Sequence, residues 1–221
     1  MTHAAPLLAV ADLHVSIQSM PALRGVSLQV KAGEMVGLIG RNGAGKTTFM
    51  RSVMGHLTPT SGSIRVDGGD LAGLPRHGRA ALGIGYMPED RGLVPQLTVE
   101  ENILLPIWVS RKLTARERLD LVYGLMPEIV EMRARKALLL SGGQQKLVAL
   151  ARSLAVGTRL LLLDEPFEGV APALSRRLSE VIFALKEQRL SVVIAQSDLN
   201  HSNTQFVREY VIERGTNVAE N

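Results

Sequence analysis

The sequence predicts an α/β fold interrupted by a helical insertion. Three observations carry that expectation. Short apolar runs of the kind that form fully buried strands recur at Met35-Val36-Gly37-Leu38-Ile39, Leu160-Leu161-Leu162-Leu163 and Ser191-Val192-Val193-Ile194-Ala195. Segments with helical spacing follow the first two, with Phe49, Met50, Val53 and Leu57 after one and the amphipathic stretch 174–185 after the other. From Pro88 to Leu140 the strand signal disappears and helix-start signals take its place.

In chain order, residues 7–30 read as two strands. Leu8, Val10, Leu13, Val15 and Ile17 lie mostly at alternate positions, Met20-Pro21 is expected to break the run, and Val26-Ser27-Leu28-Gln29-Val30 alternates again. Lys31-Ala32-Gly33-Glu34 is a turn, and Thr58-Pro59-Thr60-Ser61-Gly62-Ser63 is a loop closing the helix expected over 46–57. Ile64-Arg65-Val66 is a short strand, and loop with short helix leads to a buried strand at Gly83-Ile84-Gly85-Tyr86-Met87. Within the insertion, Thr98 with Glu101 and Thr114 with Glu117 have the spacing of capping boxes, and Pro106 and Pro127 are expected to punctuate the helices. The insertion's basic residues (Arg111, Lys112, Arg116, Arg118, Arg133, Arg135, Lys136) are expected to form a solvated face, with contact to lipid head groups as the lesser alternative. Tyr210-Val211-Ile212-Glu213 is a last strand.

Bulk properties exclude several classes. The chain has 221 residues, enough for one sizeable domain with an inserted subdomain. It is 46% hydrophobic, yet no run approaches the roughly 18 apolar residues of a membrane span. The N-terminus lacks a basic start and meets Asp12 too early for a signal peptide. With no cysteine there is no disulfide framework and no thiolate metal site, consistent with a cytosolic setting. A net charge of +4 is far from that of a dedicated nucleic-acid binder, so no nucleic-acid partner is expected.

The chemistry concentrates in three stretches. Gly40-Arg41-Asn42-Gly43-Ala44-Gly45-Lys46-Thr47 joins a predicted strand to a predicted helix. Its glycines let successive backbone N–H groups curl round a phosphate, and the helix N-terminus adds partial positive charge. Lys46 supplies a mobile full charge to the β- and γ-phosphates, and the Thr47 hydroxyl suits Mg²⁺. Gly40, Asn42, Gly43, Ala44, Gly45, Lys46, Thr47 and Thr48 are the expected nucleotide-binding residues. Asp164-Glu165 ends a four-leucine strand, where ligands of parallel sheets sit. Asp164 is the candidate Mg²⁺ ligand, and Glu165 the candidate to orient or deprotonate the attacking water. Leu140-Ser141-Gly142-Gly143-Gln144-Gln145 opens another helix, with Ser141 as N-cap and two glycines leaving N–H groups open to an anion. Lying after the insertion, this second anion-binding start is better placed to cover a phosphate held by another subunit, which points to a dimer with ATP between the chains.

These stretches resemble, in the same order, the Walker A, signature and Walker B motifs of the ABC ATPases, and the likeness covers essentially the whole chain. It implies a RecA-like P-loop NTPase core with an antiparallel β-subdomain and an inserted helical subdomain, binding ATP and Mg²⁺ as a head-to-tail pair. One domain over 1–221 is expected, with 1–88 and 151–221 forming the β-subdomain and core and 89–150 the helical subdomain. Tyr86-Met87-Pro88-Glu89, Leu97-Thr98-Val99-Glu100-Glu101-Asn102 and Glu165-Pro166-Phe167-Glu168-Gly169-Val170-Ala171-Pro172 further resemble the ATPases of branched-chain amino acid importers; urea and amide importers share much of the pattern. That likeness puts Glu89 at the Q-loop position, sensing Mg²⁺ or water and relaying motion to a membrane subunit. Residues 169–172 fall at the D-loop along the dimer seam.

Three residues depart from the family pattern. Gln196 stands where a switch histidine is usual, and it can hydrogen-bond a γ-phosphate without carrying a proton charge. Ile17 stands where an aromatic usually stacks on adenine, and Ala195 where an acidic residue often precedes the switch; His201 is read as a surface histidine. The resemblance implies the ATP-hydrolysing subunit of an importer for hydrophobic amino acids or similar solutes. Its expected partners are a second such ATPase (homo- or heterodimer), two transmembrane permease subunits and, indirectly, a solute-binding protein. Its expected place is cytoplasmic, peripheral on the inner face of the membrane. The alternatives are a weakly hydrolysing regulatory subunit and a non-transport ABC protein, though no zinc module or tandem cassette is present.

Overall fold

A computed structural model describes residues 5–108, 110, 112–197 and 206–218; His201 and Arg111 lie outside them. Two sheets organise the chain. The first is four-stranded, in the order β2-β1-β4-β5, built from β1 (Leu8–Ile17), β2 (Met20–Val30), β4 (Ser61–Val66) and β5 (Gly69–Asp70), all antiparallel. The second is six-stranded, β10-β9-β3-β8-β7-β6, from β3 (Met35–Ile39), β6 (Ile84–Met87), β7 (Leu160–Asp164), β8 (Ser191–Gln196), β9 (Arg208–Glu213) and β10 (Thr216–Val218). It is parallel except for the β9–β10 hairpin.

The continuous apolar runs have a direct cause: both faces of the parallel sheet are covered. Leu160, Leu162 and Val193 enter a core shared with the antiparallel sheet and α1 (Lys46–Val53). Leu161, Leu163, Val192 and Ile194 enter a second core, formed with the helices on the other side. Alternate residues of one strand thus serve two cores, as the period of 2 requires. Those helices are α3 (Val99–Trp108), α4 (Ala115–Leu125), α5 (Glu128–Met132), α6 (Gly142–Val156) and α7 (Pro172–Ala184). All but α7 lie between β6 and β7, and α6 runs on past residue 150 to pack against β6.

Several local expectations shift. The β1–β2 hairpin turns at Gln18 and Ser19, both at positive φ, and Met20-Pro21 lies inside β2; an edge strand tolerates a proline that donates no ladder bond. Pro106 sits within the last turn of α3 and does not end it, while Pro127 is the N-cap of α5. Thr98 and Glu101 form the expected reciprocal cap, with bonds of 2.7 and 3.2 Å. Thr114 makes no side-chain cap: its helix start is exposed, so water can satisfy the free N–H groups. Nor is the basic face wholly solvated, because Arg118 donates to the carbonyls of Ala155 and Leu154 and closes the end of α6.

Arg79, in α2 (Arg76–Ala81), does the same for the helix that follows the phosphate loop. Its buried guanidinium donates to the carbonyls of Ser52 (2.8 Å), Val53 (2.5 Å) and Leu71 (2.9 Å), a cation on the negative end of α1. Arg79→Met takes its donor from all three carbonyls, of which Ser52 and Leu71 keep the Gly55 and Leu74 N–H groups (3.0 and 3.1 Å), and should lower the unfolding free energy by about 1–3 kcal/mol. Urea denaturation reads this as a lower midpoint at unchanged slope, and an unmoved midpoint would contradict it.

Candidate active site at the carboxyl edge of the parallel sheet

Strand register assembles the site. Ile39 lies opposite Gln196, and Ala195 opposite Asp164, so the loop after β3, the end of β8 and the end of β7 meet at one edge. The backbone N–H of Gly40 donates to the Gln196 carbonyl at 3.1 Å. A Cβ at Gly40 would meet the Ile212 carbonyl oxygen at 2.2 Å, so the loop can leave β3 this close to β9 only with glycine. Gly45 caps α1 at φ 115 without any side-chain bond, which leaves the first-turn N–H groups facing outward. The Lys46 amine donates to the carbonyls of Gly40 (2.5 Å) and Arg41 (3.1 Å) and pairs with Glu165 at 3.1 Å. A cavity of about 380 Å³ opens above the loop, lined by Asn42, Gly43, Lys46, Thr48, Glu89 and Glu165 among others.

Asp164 is fully buried and accepts from the Thr47 hydroxyl at 3.2 Å and the Tyr86 hydroxyl at 3.3 Å. Burial, reinforced by the Glu89 and Glu165 carboxylates, pushes its pKa up to about 6, against the pull of those two hydrogen bonds. A buried carboxylate held by neutral hydroxyls, with a Thr hydroxyl at its side, is the hard oxygen set Mg²⁺ takes when phosphates complete its shell. Among the described residues there is no cluster of three or more His, Cys, Asp or Glu placed to hold a metal ion. Glu165 follows at φ 47, an uncommon backbone for a non-glycine residue, held by its N–H donating to the Ala195 carbonyl at 3.0 Å. Its carboxylate accepts from the Ser197 hydroxyl (2.5 Å) and backbone N–H (3.1 Å), and that hydroxyl also lies 2.8 Å from Asn42 Oδ1.

The other sequence candidates divide. Glu89 borders both the phosphate cavity and a larger groove of about 840 Å³ that runs past Arg51, Leu105, Pro106 and Arg152. The Gln196 side chain is buried, and Ala195 serves through its carbonyl. Ile17, 42% exposed, does not line the cavity; the other arm of its hairpin does, through Pro21, Ala22 and Arg24. Ser141, Gly142, Gly143 and Gln144 also lie outside the cavity's lining. They form a complete capping box: Gln144 N–H donates to Ser141 Oγ (3.3 Å), and Ser141 N–H to Gln144 Oε1 (3.0 Å). Arg91 donates to Gln145 at 3.0 Å, and Arg152 donates to the carbonyls of Arg91 and Gly92 (2.7 and 2.6 Å), binding the loop after Glu89 to α6.

A family model described as ABC transporter matches residues 23–168. The chain belongs to the ABC transporter family. Within it, this is an ATP-binding subunit, an ATPase that uses ATP with Mg²⁺. It is 35% identical over 215 residues to the lipopolysaccharide export system ATP-binding protein LptB of Haemophilus influenzae, covering 96% of this chain and 89% of that protein. It is 38% identical over 194 residues to the high-affinity branched-chain amino acid transport ATP-binding protein BraG of Pseudomonas aeruginosa, covering 88% and 83%. Among solved structures, an ATP-binding cassette dimer in a post-hydrolysis state with ADP and Pi aligns with a TM-score of 0.85 at 25% identity, covering 97% of both chains. A nucleotide-free cassette from an ABC transporter aligns at 0.83 and 24% identity over 97% of this chain and 90% of that one, a likeness of fold.

The site of this ABC ATPase also gathers residues that no spacing in the sequence singles out. Tyr86 lies in the stretch before Glu89, and its hydroxyl bond to Asp164 depends on β6 pairing with β7. Ser197 reaches Glu165 because β8 ends between β3 and β7. Arg214 lines the cavity because Gly215 N–H, in the β9–β10 turn, donates to the Ala44 carbonyl at 2.9 Å. No linear spacing signals any of the three.

Proposed function

We propose that this chain is the motor subunit of an importer for branched-chain or other hydrophobic amino acids. The convergence of Lys46, Thr47 and Glu165 at one cavity, with Asp164 bonded to the Thr47 hydroxyl behind it, carries the hydrolytic half of that reading. The N–H groups of the phosphate loop and the Lys46 amine hold the phosphates, with Asn42, Gly43, Ala44 and Thr48 around them. Thr47 and Asp164 would hold Mg²⁺, with Glu89 near enough to sense it; when bound, that ion supplies charge neutralisation to the phosphates. Lys46 exchanges its pairing with Glu165 for phosphate, which releases the carboxylate to take a proton from water. Gln196 serves at the switch position as a neutral hydrogen-bonding group.

Ser141, Gly142, Gly143 and Gln144 cover the ATP of a second subunit, a reading supported by their position outside this chain's own cavity and by the dimeric cassette aligned above. The subdomain division at residues 88/89 and 150/151 belongs to the same reading. Docking of two permease subunits is assigned to the groove beside Glu89, because that carboxylate borders both spaces. Among the described residues no helix is long and apolar enough to cross a membrane, so attachment to the inner face would run through such partners.

The import of amino acids rests on the likeness to BraG and on the three importer-like stretches. The likeness to LptB favours a second reading, an export motor for a lipid-linked substrate. Isolating the chain with its membrane partners and reconstituting them in vesicles separates the two. Turnover stimulated by a binding protein loaded with leucine or isoleucine is the expected result. Stimulation by lipopolysaccharide alone would overturn import. Turnover that persists only through a different, paired ATPase would make this chain the regulatory subunit.

A further inference from the structure

Lys146 belongs to none of the motifs' assigned roles, yet the residue is only 3% exposed. It stands on α6 one turn beyond Ser141 and donates to the backbone carbonyls of Glu165 (2.8 Å) and Glu168. Among the described residues no carboxylate lies within ion-pair distance of it. Burial pulls its pKa down, with the Glu168 carboxylate opposing. An apolar side chain of the same length would seat α6 without the desolvation cost, but would take the donor from the Glu165 and Glu168 carbonyls. What the ammonium adds is direction: it fixes α6 to the backbone of Glu165, which β8 already holds from the other side through the Ala195 carbonyl.

The two ends of this connection face different nucleotides. On the dimer reading above, which this inference rests on, the N-terminus of α6 meets ATP held by the partner, whereas Glu165 acts on ATP held by its own chain. We propose that Lys146 is a positioning residue that couples the two ATP sites. Closure of α6 on the partner's γ-phosphate is carried through the ammonium to the Glu165 and Glu168 carbonyls, and so to the orientation of the Glu165 carboxylate. A helix is stiff along its axis, so a bond one turn from its N-terminus follows any displacement of that end.

Lys146→Met keeps length and removes all three donors. In the complete chain, the parent's turnover should rise steeply with ATP, with a Hill slope approaching about 2, and Lys146→Met should flatten it to about 1. kcat should fall about tenfold, while the affinity of the monomer for a fluorescent ATP analogue stays within about twofold. Lys146→Arg, which still donates to carbonyls, should recover most of the slope. If Lys146→Met does not fold, Lys146→Gln, with donors on a shorter arm, is read on the same measurements. A parent slope near 1, or a steep slope kept by the Met or Gln variant, overturns the coupling. Light scattering of Glu165→Gln with ATP tests the dimer separately: no dimer there would sink the reading beneath the proposal, whereas a dimer with uncoupled kinetics in the parent sinks the proposal alone.

Discussion

Glu165→Gln is expected to slow ATP turnover by about 10²–10⁴-fold, the range for losing a general base. Binding should not suffer. Glu165 pairs with the Lys46 amine at 3.1 Å, in competition with phosphate. The neutral amide gives up that ion pair, so ATP affinity should rise a few-fold as hydrolysis falls. Gln keeps an oxygen to accept from Ser197, which preserves the local fold. ATP-bound dimers should then accumulate, visible as a nucleotide-dependent doubling of mass in light scattering. Parent-rate hydrolysis by this variant would remove Glu165 from its role, and weaker ATP binding would contradict the competition with Lys46.

Asp164→Asn should separate stability from activity. In the fold the Asp164 carboxyl titrates near 6, against 3.8 for an ordinary aspartate. Below about pH 4 it is protonated both folded and unfolded, and contributes nothing. Between about pH 4 and 6 the folded state keeps the proton that the unfolded state releases, so this group's contribution to stability falls as pH rises. Above pH 6 the penalty is fully present and amounts to roughly 3 kcal/mol. Asparagine carries no such penalty and still accepts from Thr47. Without nucleotide or Mg²⁺, Asp164→Asn should therefore be more stable than the parent at pH 7.5, with the gain fading toward pH 4. Mg²⁺-dependent hydrolysis should be lost. Denaturation midpoints at the two pH values decide the matter, and a variant less stable than the parent at pH 7.5 would refute the burial penalty.

These two residues also mark how far the sequence could be read. Asp164 and Glu165 were legible because four leucines before them announce a buried strand and the point where it ends. The capping box at Ser141 and Gln144 was legible for a similar reason, since helix starts are governed by neighbours three residues apart. Thr114 and Glu117 have the same spacing and form no cap, so the pattern permits the bonds without compelling them where water competes. Gln18 and Ser19 make the first turn although Met20-Pro21 was the stronger breaker, because β2 lies at a sheet edge. Arg118 was read as part of a solvated face, yet it closes a helix more than thirty positions away.

What the sequence determined by itself was the local grammar: which runs are buried on both faces, where helices begin, and which loop can wrap a phosphate. These follow from periodicity, glycine geometry and capping, all set within a few residues. Only the tertiary structure decided that β8 lies between β3 and β7. That single choice of strand order brings Lys46, Asp164, Glu165, Gln196 and Ser197 to one edge, and the packing of α6 then carries Lys146 to the backbone of Glu165. Strand order is fixed by how two cores close over both faces of a sheet, a condition on the whole chain that no short stretch of it contains.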